Sequence, residues 1–87
     1  MNLVGEAYSY TRVTSTTTVY PSNCITIGIF VAQASSSPTI TINDGANIMV
    51  NSFVPIAGSF YPFPAVINSS LVITISGTVD CTVFWST

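Results

Sequence analysis

The side chains that could carry acid–base or metal chemistry are few in this chain. Its charged residues are Glu6, Arg12, Asp44 and Asp80, and it contains no lysine and no histidine. The lack of histidine excludes a conventional catalytic triad and a histidine metal site, and the lack of lysine excludes Schiff-base chemistry. Hydrolysis by paired carboxylates would need two acids within about 10 Å, whereas Asp44 and Asp80 fall in separate predicted turns. We therefore predict that the protein is not an enzyme and binds no cofactor.

Asp44, flanked by Asn43 and Asn47, is the best candidate for a metal ligand. A calcium site usually draws on several carboxylate and carbonyl oxygens, and this segment offers one carboxylate. Asp44-Gly45 is also a common hairpin pair, so we interpret the segment as a turn. Two cysteines without a histidine are too few for a structural zinc site. We predict no metal.

The two thiols, Cys24 and Cys81, could in principle form a disulfide. Strand alternation places Cys24 on the face opposite Ile25 and Ile29, whereas Cys81 shares a face with Val83. Disulfides are also rare in chains made in a cytoplasm. We therefore predict two reduced, half-buried thiols.

The surface predicted for this chain is nearly neutral. Charged residues make up 5% of the sequence, against about 25% in an ordinary domain, and one arginine cannot form a basic footprint for nucleic acid. At 48% hydrophobic residues the chain is not disordered. Because solubility normally depends on net charge, such a surface suits a protein that docks on copies of itself or on a partner.

No segment predicts a membrane span or a secretory signal. The longest nearly apolar run, "ITIGIFVAQA", is about half the roughly 20 residues that cross a bilayer. The start, "MNLVGEAYSY", lacks both a basic region and a long apolar run. We expect a complete, soluble chain made in a cytoplasm, with no membrane partner.

Apolar residues alternate along most of the chain, and Gly, Pro, Asn and Ser clusters interrupt them every eight to twelve residues, which is typical of an all-β sandwich. We predict one domain over residues 1–87, a small antiparallel β-sandwich of seven or eight strands, with residues 1–7 as a flexible or partner-contacting arm. The predicted strands are residues 8–20 (as one strand or two), 25–32, 39–43, 48–55, a short strand within 60–68, 71–76 and 79–86. The predicted core residues are Ile25, Ile27, Ile29, Val31, Ile40, Ile42, Leu71, Ile73 and Ile75.

The segment "GSFYPFPAV" combines three aromatic rings with two prolines. Pro62 and Pro64 are two residues apart, so in an extended chain their missing N–H groups lie on the same side, which marks a sheet edge. Tyr61 and Phe63 alternate with the prolines. They either cap the open end of the sandwich or form an aromatic patch that faces a partner.

Aromatic residues and arginine are enriched at protein interfaces. A lone arginine in an uncharged surface is a natural anchor, and the strand that carries it also carries two tyrosines. We predict a partner or oligomer interface that includes Tyr8, Tyr10, Arg12, Phe60, Tyr61, Phe63 and Trp85.

The order of strands and turns follows a recognisable pattern. A Thr-rich strand, "VTSTTTV", precedes a hydrophobic strand, then come a "TITINDG" hairpin, the aromatic–proline segment and the closing "NSSLVITISGTVDCTVFW". Over residues 8–86 this pattern resembles small bacteriophage virion proteins, with Ser70 where glycine is more usual. These motifs are architectural and carry no catalytic signature.

The resemblance implies a jelly-roll-like β-sandwich with a structural role in the virion. It implies a protein that decorates or cements a phage capsid through multivalent, non-catalytic contacts. The partners would be the major capsid protein lattice and other copies of the chain, most simply as a homotrimer. The chain would be made in the host cytoplasm and end up in the virion.

The alternative role is a recognition module on a fibre or tail that binds carbohydrate of the host surface. Sugar sites use exposed aromatic rings for stacking, and Tyr61, Phe63 and Trp85 are the candidates. Sugar sites also use several Asp, Asn and Arg side chains, and these are sparse near the candidate rings.

Overall fold

The computed structural model of the protein describes residues 8–87, and the chain is mostly strand there. Residues 8–87 contain no helix that could span a membrane. The arm expected at residues 1–7 lies outside the described residues. The strands, in chain order, are β1 (Ser9–Val13), β2 (Thr17–Tyr20), β3 (Cys24–Asp44), β4 (Asn47–Phe53), β5 (Phe60–Ile67) and β6 (Leu71–Ser86).

Two long strands organise the molecule. β3 and β6 pair antiparallel along nearly their whole length, from Ile25 opposite Ser86 to Asp44 opposite Leu71. The early part of β3 and the late part of β6 are flanked by β5 and β1, and we name these four segments the first half of the sheet. The late part of β3 and the early part of β6 are flanked by β4 and β2, which form the second half.

A corner separates the two halves. The pairing of β3 with β6 shifts between Ser35 and Thr39, and Ser36 and Ser37 have positive φ angles of 59° and 56°. Gly77 of β6, with φ of 77°, lies against this corner. The sequence segment "SSSP" and the glycine of "SGTVD" therefore bend two continuous strands, where sequence reasoning predicted breaks between separate strands.

The two halves pack against each other. Phe53 of β4 contacts Tyr61 of β5 with ring centroids 5.1 Å apart, and Tyr20 of β2 contacts Trp85 of β6 at 4.7 Å. Residues from both halves form one buried cluster: Val13, Cys24, Ile29, Val31, Ile40, Ile42, Ile67, Leu71, Ile73, Val79, Cys81 and Val83. Burial of this cluster is the main source of stability in a chain of this size.

The all-β, antiparallel prediction is confirmed. In residues 8–87 there are six strands in a single hydrogen-bonded sheet, whereas seven or eight were predicted. The number is lower because residues 25–32 and 39–43 belong to one strand, β3, and residues 71–76 and 79–86 belong to β6. The two-sheet sandwich and its jelly-roll connectivity stay predictions.

A bulge in β3 corrects the predicted core. The register with β5 and β6 shifts between Thr26 and Gly28, and the extra residue reverses the alternation of the strand. Ile29 and Val31 are buried as predicted, but Ile25 is exposed and Thr26 is buried in its place. The Thr26 hydroxyl donates a hydrogen bond to the Phe63 carbonyl oxygen at 2.7 Å, so its burial leaves no unpaired group.

The same bulge corrects the placement of Cys24. The sequence placed this thiol on the face opposite Ile29, but both residues are buried in the core cluster. Among the other predicted core residues of the two long strands, Ile40, Ile42, Leu71 and Ile73 are buried. Ile27 and Ile75 are only partly buried.

Substitution of Gly77 tests the corner. A Cβ atom at this position would lie 2.6 Å from the Ser36 carbonyl oxygen and 2.8 Å from that of Ser37. Gly77→Ala should therefore lower the free energy of unfolding by about 3 kcal/mol, through positive-φ strain and a backbone clash together. Urea unfolding followed by tryptophan fluorescence measures the loss.

Gly58→Ala is the matched control. Gly58 also has a positive φ, 86°, but nothing lies within 4 Å of the added atom. The Gly58→Ala variant should lower the free energy of unfolding by only about 1 kcal/mol, which is the cost of the left-handed conformation for alanine. Equal losses in the two variants would contradict the close approach at the corner.

Candidate docking surface

The outer side of the first half carries a continuous group of apolar side chains. Tyr10 lies opposite Phe84 in the pairing of β1 with β6, and Phe30 lies opposite Phe60 in the pairing of β3 with β5. Directly paired residues project from the same side of a sheet, so these rings share one surface. We name it the aromatic face and define it by Tyr10, Ile25, Phe30, Phe60, Val66 and Phe84.

A glycine in the middle of this face lets two of the rings meet. Gly28 of β3 lies beneath Phe60, and a Cβ atom there would come within 2.5 Å of the Phe60 ring. The Phe60 ring therefore lies across β3 and approaches Phe84 of β6, with centroids 6.2 Å apart. The ring covers backbone that a strand glycine would otherwise leave exposed.

Solvent reaches much of the aromatic face. Tyr10 is 72% exposed, Val66 67%, Phe60 47% and Phe30 40%. Monomeric proteins seldom expose large contiguous apolar patches unless the patch has a binding role. The surface is thus a candidate docking site for another macromolecule.

An ion pair between two residues of the chain, Arg12 and Asp80, lies at the border of the aromatic face. The Arg12 Nε atom donates to Asp80 Oδ1 at 2.9 Å, and its Nη2 atom donates to Asp80 Oδ2 at 2.7 Å. This hydrogen bonding lowers the pKa of Asp80 and raises that of Arg12. Arg12 was predicted to anchor a partner, but its guanidinium group forms a bidentate pair with Asp80 of the same chain.

The outer side of the second half has a different chemistry. Thr41 lies opposite Thr74, Thr39 lies opposite Ser76, and Thr18 lies opposite Val72. The neighbours Ile40, Ile42 and Ile73 point into the core, which directs the hydroxyl side chains outward. We name this surface the hydroxyl face and define it by Thr18, Thr39, Thr41, Thr74 and Ser76.

The predicted interface residues divide between the outside and the inside of the sheet. Tyr10 and Phe60 belong to the aromatic face, Arg12 borders it, and Tyr8 is exposed two residues before Tyr10. Tyr61, Phe63 and Trp85 instead pack against the core cluster. Alternation along β5 explains the split, because it directs Phe60, Pro62, Pro64 and Val66 outward and the intervening aromatics inward.

The inward aromatics make specific contacts of their own. The Trp85 indole N–H donates to the Thr11 hydroxyl at 3.0 Å, and the Tyr61 hydroxyl accepts a hydrogen bond from the Ile56 backbone N–H at 2.9 Å. Tyr61 and Phe63 also line an apolar groove of about 330 Å³ between β4 and β5. These contacts support the interpretation of the aromatic–proline segment as a cap on the open side of the core.

Four members of the aromatic face were not predicted: Ile25, Phe30, Val66 and Phe84. Alternation along β6 separates Phe84 from Cys81 and Val83, but both sides of that strand carry apolar residues, so the sequence did not decide which side faces out. The bulge at Thr26 hid the outward position of Ile25, because no residue type in "CITIGIF" marks it.

The Asp44 carboxylate holds two turns together. It accepts backbone hydrogen bonds from Asn68 at 3.0 Å and Ser69 at 2.8 Å, and these bonds lower its pKa. Gly45 follows with a positive φ of 59°, as the turn interpretation requires. Among residues 8–87, no three His, Cys, Asp or Glu side chains are grouped so as to hold a metal ion.

Comparison of the chain with protein-family models, with curated proteins and with solved structures found no match.

The thiols lie in surroundings that suppress their ionisation. Cys24 and Cys81 are both free and buried, and the Cys81 thiol donates to the Val13 carbonyl oxygen at 3.4 Å. Burial, with a smaller effect of the Asp80 charge, raises the pKa of Cys81 to about 11. Burial, followed by the Asp44 charge, also raises the pKa of Cys24.

We expect neither thiol of the folded protein to react with a maleimide at pH 8, and both to react once urea unfolds the chain without reductant. A raised folded pKa stabilises the protein fully below the unfolded thiol pKa and loses this contribution as pH rises toward the folded value. Stability should therefore fall between about pH 9 and pH 11, and less steeply in a Cys24→Ala, Cys81→Ala double variant. An unfolded chain without free thiols would contradict this prediction.

Asp44→Asn tests the link between the two turns. The lowered pKa of Asp44 means that its hydrogen bonds stabilise the fold above the ordinary pKa of 3.8 and are lost as the pH falls through the lower folded value. The variant should melt at a lower temperature than the parent at pH 7, and this difference should disappear near pH 2. Asp80→Asn, which removes an exposed ion pair, should change the melting temperature less; the opposite ranking would contradict this account.

Proposed function

We propose that this chain is a structural virion protein that decorates or cements a bacteriophage capsid through multivalent, non-catalytic contacts. The observation that carries the proposal is the difference between its two outer surfaces. The aromatic face is apolar, whereas the outer side of the second half is lined mainly by neutral hydroxyl groups, with Val72 and the exposed Ile48 at one end. Such a difference is expected of a protein that occupies a fixed place in an assembly, where one of its sides is covered by a neighbour.

The phage capsid enters the proposal through the sequence resemblance. Residues 8–86 resemble small phage virion proteins in the order of their strands and turns, and an all-β fold is what that resemblance implies. The neutral surface adds a physical argument, because a chain with four charged side chains gains little solubility from charge. Such a chain is better suited to being part of an assembled particle than to being a free monomer in solution.

Attachment to the capsid would depend on several copies acting together. The hydroxyl face offers no charged anchor for long-range steering, so each contact with a capsid subunit is weak. Linked copies that engage several subunits at once bind about 10² to 10⁴ times more tightly than one contact does. Because few ion pairs are available to be screened, binding should hardly depend on salt.

The carbohydrate-binding alternative has less support. Its candidate stacking residues, Tyr61, Phe63 and Trp85, pack toward the core and leave few exposed ring faces. We keep it as an outcome of the experiment below, in which stoichiometric binding of an oligosaccharide would favour it.

The experiment mixes the purified protein with emptied phage particles and, separately, with unassembled capsid protein, at low and high salt. We expect retention on the particles at both salt concentrations and little binding to free subunits. Thr74→Glu, which places a charge in the centre of the hydroxyl face, should reduce retention at least about tenfold, because the effect repeats at every contact.

Thr14→Glu is the matched control for this variant. Thr14 is equally an exposed threonine, but it lies in the connection between β1 and β2, outside the hydroxyl face. It should bind particles as the parent does. Equal binding to free subunits, release by moderate salt, or equal losses in both variants would reject the proposal.

A further inference from the structure

The apolar area of the aromatic face is large enough for a stable interface. Its six residues, together with the adjacent Tyr8, are on average about half exposed. At roughly 200 Å² for a large side chain, they present on the order of 700 Å² of surface. Two such surfaces in contact would remove about 1,400 Å² from water, which is within the range of specific protein–protein interfaces.

The charge on this face favours an apolar partner. Arg12 and Asp80 neutralise each other at its border, and the six defining side chains carry no charge. An acidic or basic partner would lose hydration without gaining a counter-charge. The aromatic face of a second copy is an uncharged apolar surface of the same area, so it meets this requirement.

The edges of the sheet are poorly suited to association by strand addition. β5 pairs only with β3, and Pro62 and Pro64 lie in this edge strand. β4 also pairs only with β3, but two register shifts distort it, and β1 and β2 are only five and four residues long. Prolines, bulges and short strands all hinder edge pairing, so contact between copies through a face is favoured over contact through an edge.

We propose that the aromatic face packs against the same face of a second copy, which gives a two-fold symmetric dimer. A surface that packs against its own counterpart closes at two copies, because the contact uses the same face of both copies and leaves neither of these faces open. The homotrimer expected from the resemblance would need a different contact. Face-to-face packing of two sheets at about 10 Å would bury Tyr10, Phe30 and Phe60 of both copies.

The dimer deepens the proposed function and rests on it in one respect, that copies act together on the capsid. Each copy keeps its hydroxyl face on the side of the chain away from the contact. The dimer therefore presents two hydroxyl faces, so that one dimer can contact two capsid subunits.

Sedimentation equilibrium of the full chain at micromolar concentrations tests the dimer in the absence of any capsid. We expect a mass twice that of the 9.2 kDa chain. Val66→Lys adds a charge to the aromatic face of each copy and should raise the dissociation constant at least about 100-fold, since two like charges would be buried in one interface. Tyr10→Ser, which removes a ring and adds no charge, should raise it about tenfold.

Val54→Lys is the matched control. Val54 and Val66 are equally exposed, at 67%, but Val54 follows β4 and lies outside the aromatic face. This variant should remain a dimer with the melting temperature of the parent, and the circular dichroism of all three variants should match the parent, because each site is exposed.

A parent that stays at the mass of one chain on tenfold concentration, or that forms a trimer, would overturn the two-fold contact. So would a Val66→Lys variant that still dimerises, or a Val54→Lys variant that dissociates as Val66→Lys does. A monomer that still binds emptied particles would overturn the dimer and leave the capsid proposal standing. A dimer that does not bind the particles would support the two-fold contact and reject the capsid proposal.

Discussion

The continuous pairing of β3 with β6 is the constraint on which the rest of this structure depends. Every other strand pairs with one of these two, so each half of the sheet exists only because the long pair runs through both. The pair can serve both halves because it bends at the corner formed by Ser36, Ser37 and Gly77. The positive φ angles of Ser36 and Ser37 cost conformational energy, and the buried cluster shared by the two halves offsets that cost.

The bend also separates two surface chemistries. Because the inner sides of both halves supply the core, their outer sides face in different directions and can differ freely in composition. The first half directs rings outward, with Phe60 laid over Gly28 beside Phe84. The second half directs threonine and serine outward, paired across strands as Thr41 with Thr74. A small domain with few charges thereby acquires one apolar outer surface and one that is lined mainly by hydroxyl groups.

Polar interactions fix the geometry at a few places and contribute little elsewhere. Asp44 receives two backbone N–H groups and holds the turn after β3 to the turn after β5. Thr26 satisfies its buried hydroxyl on β5. The exposed pair of Arg12 and Asp80 mainly neutralises the border of the aromatic face, since surface ion pairs add little to stability.

The sequence by itself determined the fold class, the positions of most strands and the edge position of the aromatic–proline strand, because alternation and proline geometry are local properties. It also determined the low charge, which follows from composition alone. Only the tertiary structure decided that residues 25–43 form one bent strand, that Ile25 points outward, and that Tyr61 and Trp85 point inward. The bulge at Thr26 is marked by no distinctive residue, and the residues of the corner also fit a break between two strands, yet each reverses the side chains beyond it. The contacts between β3 and its distant partners select these positions, and a local pattern contains no information about such contacts.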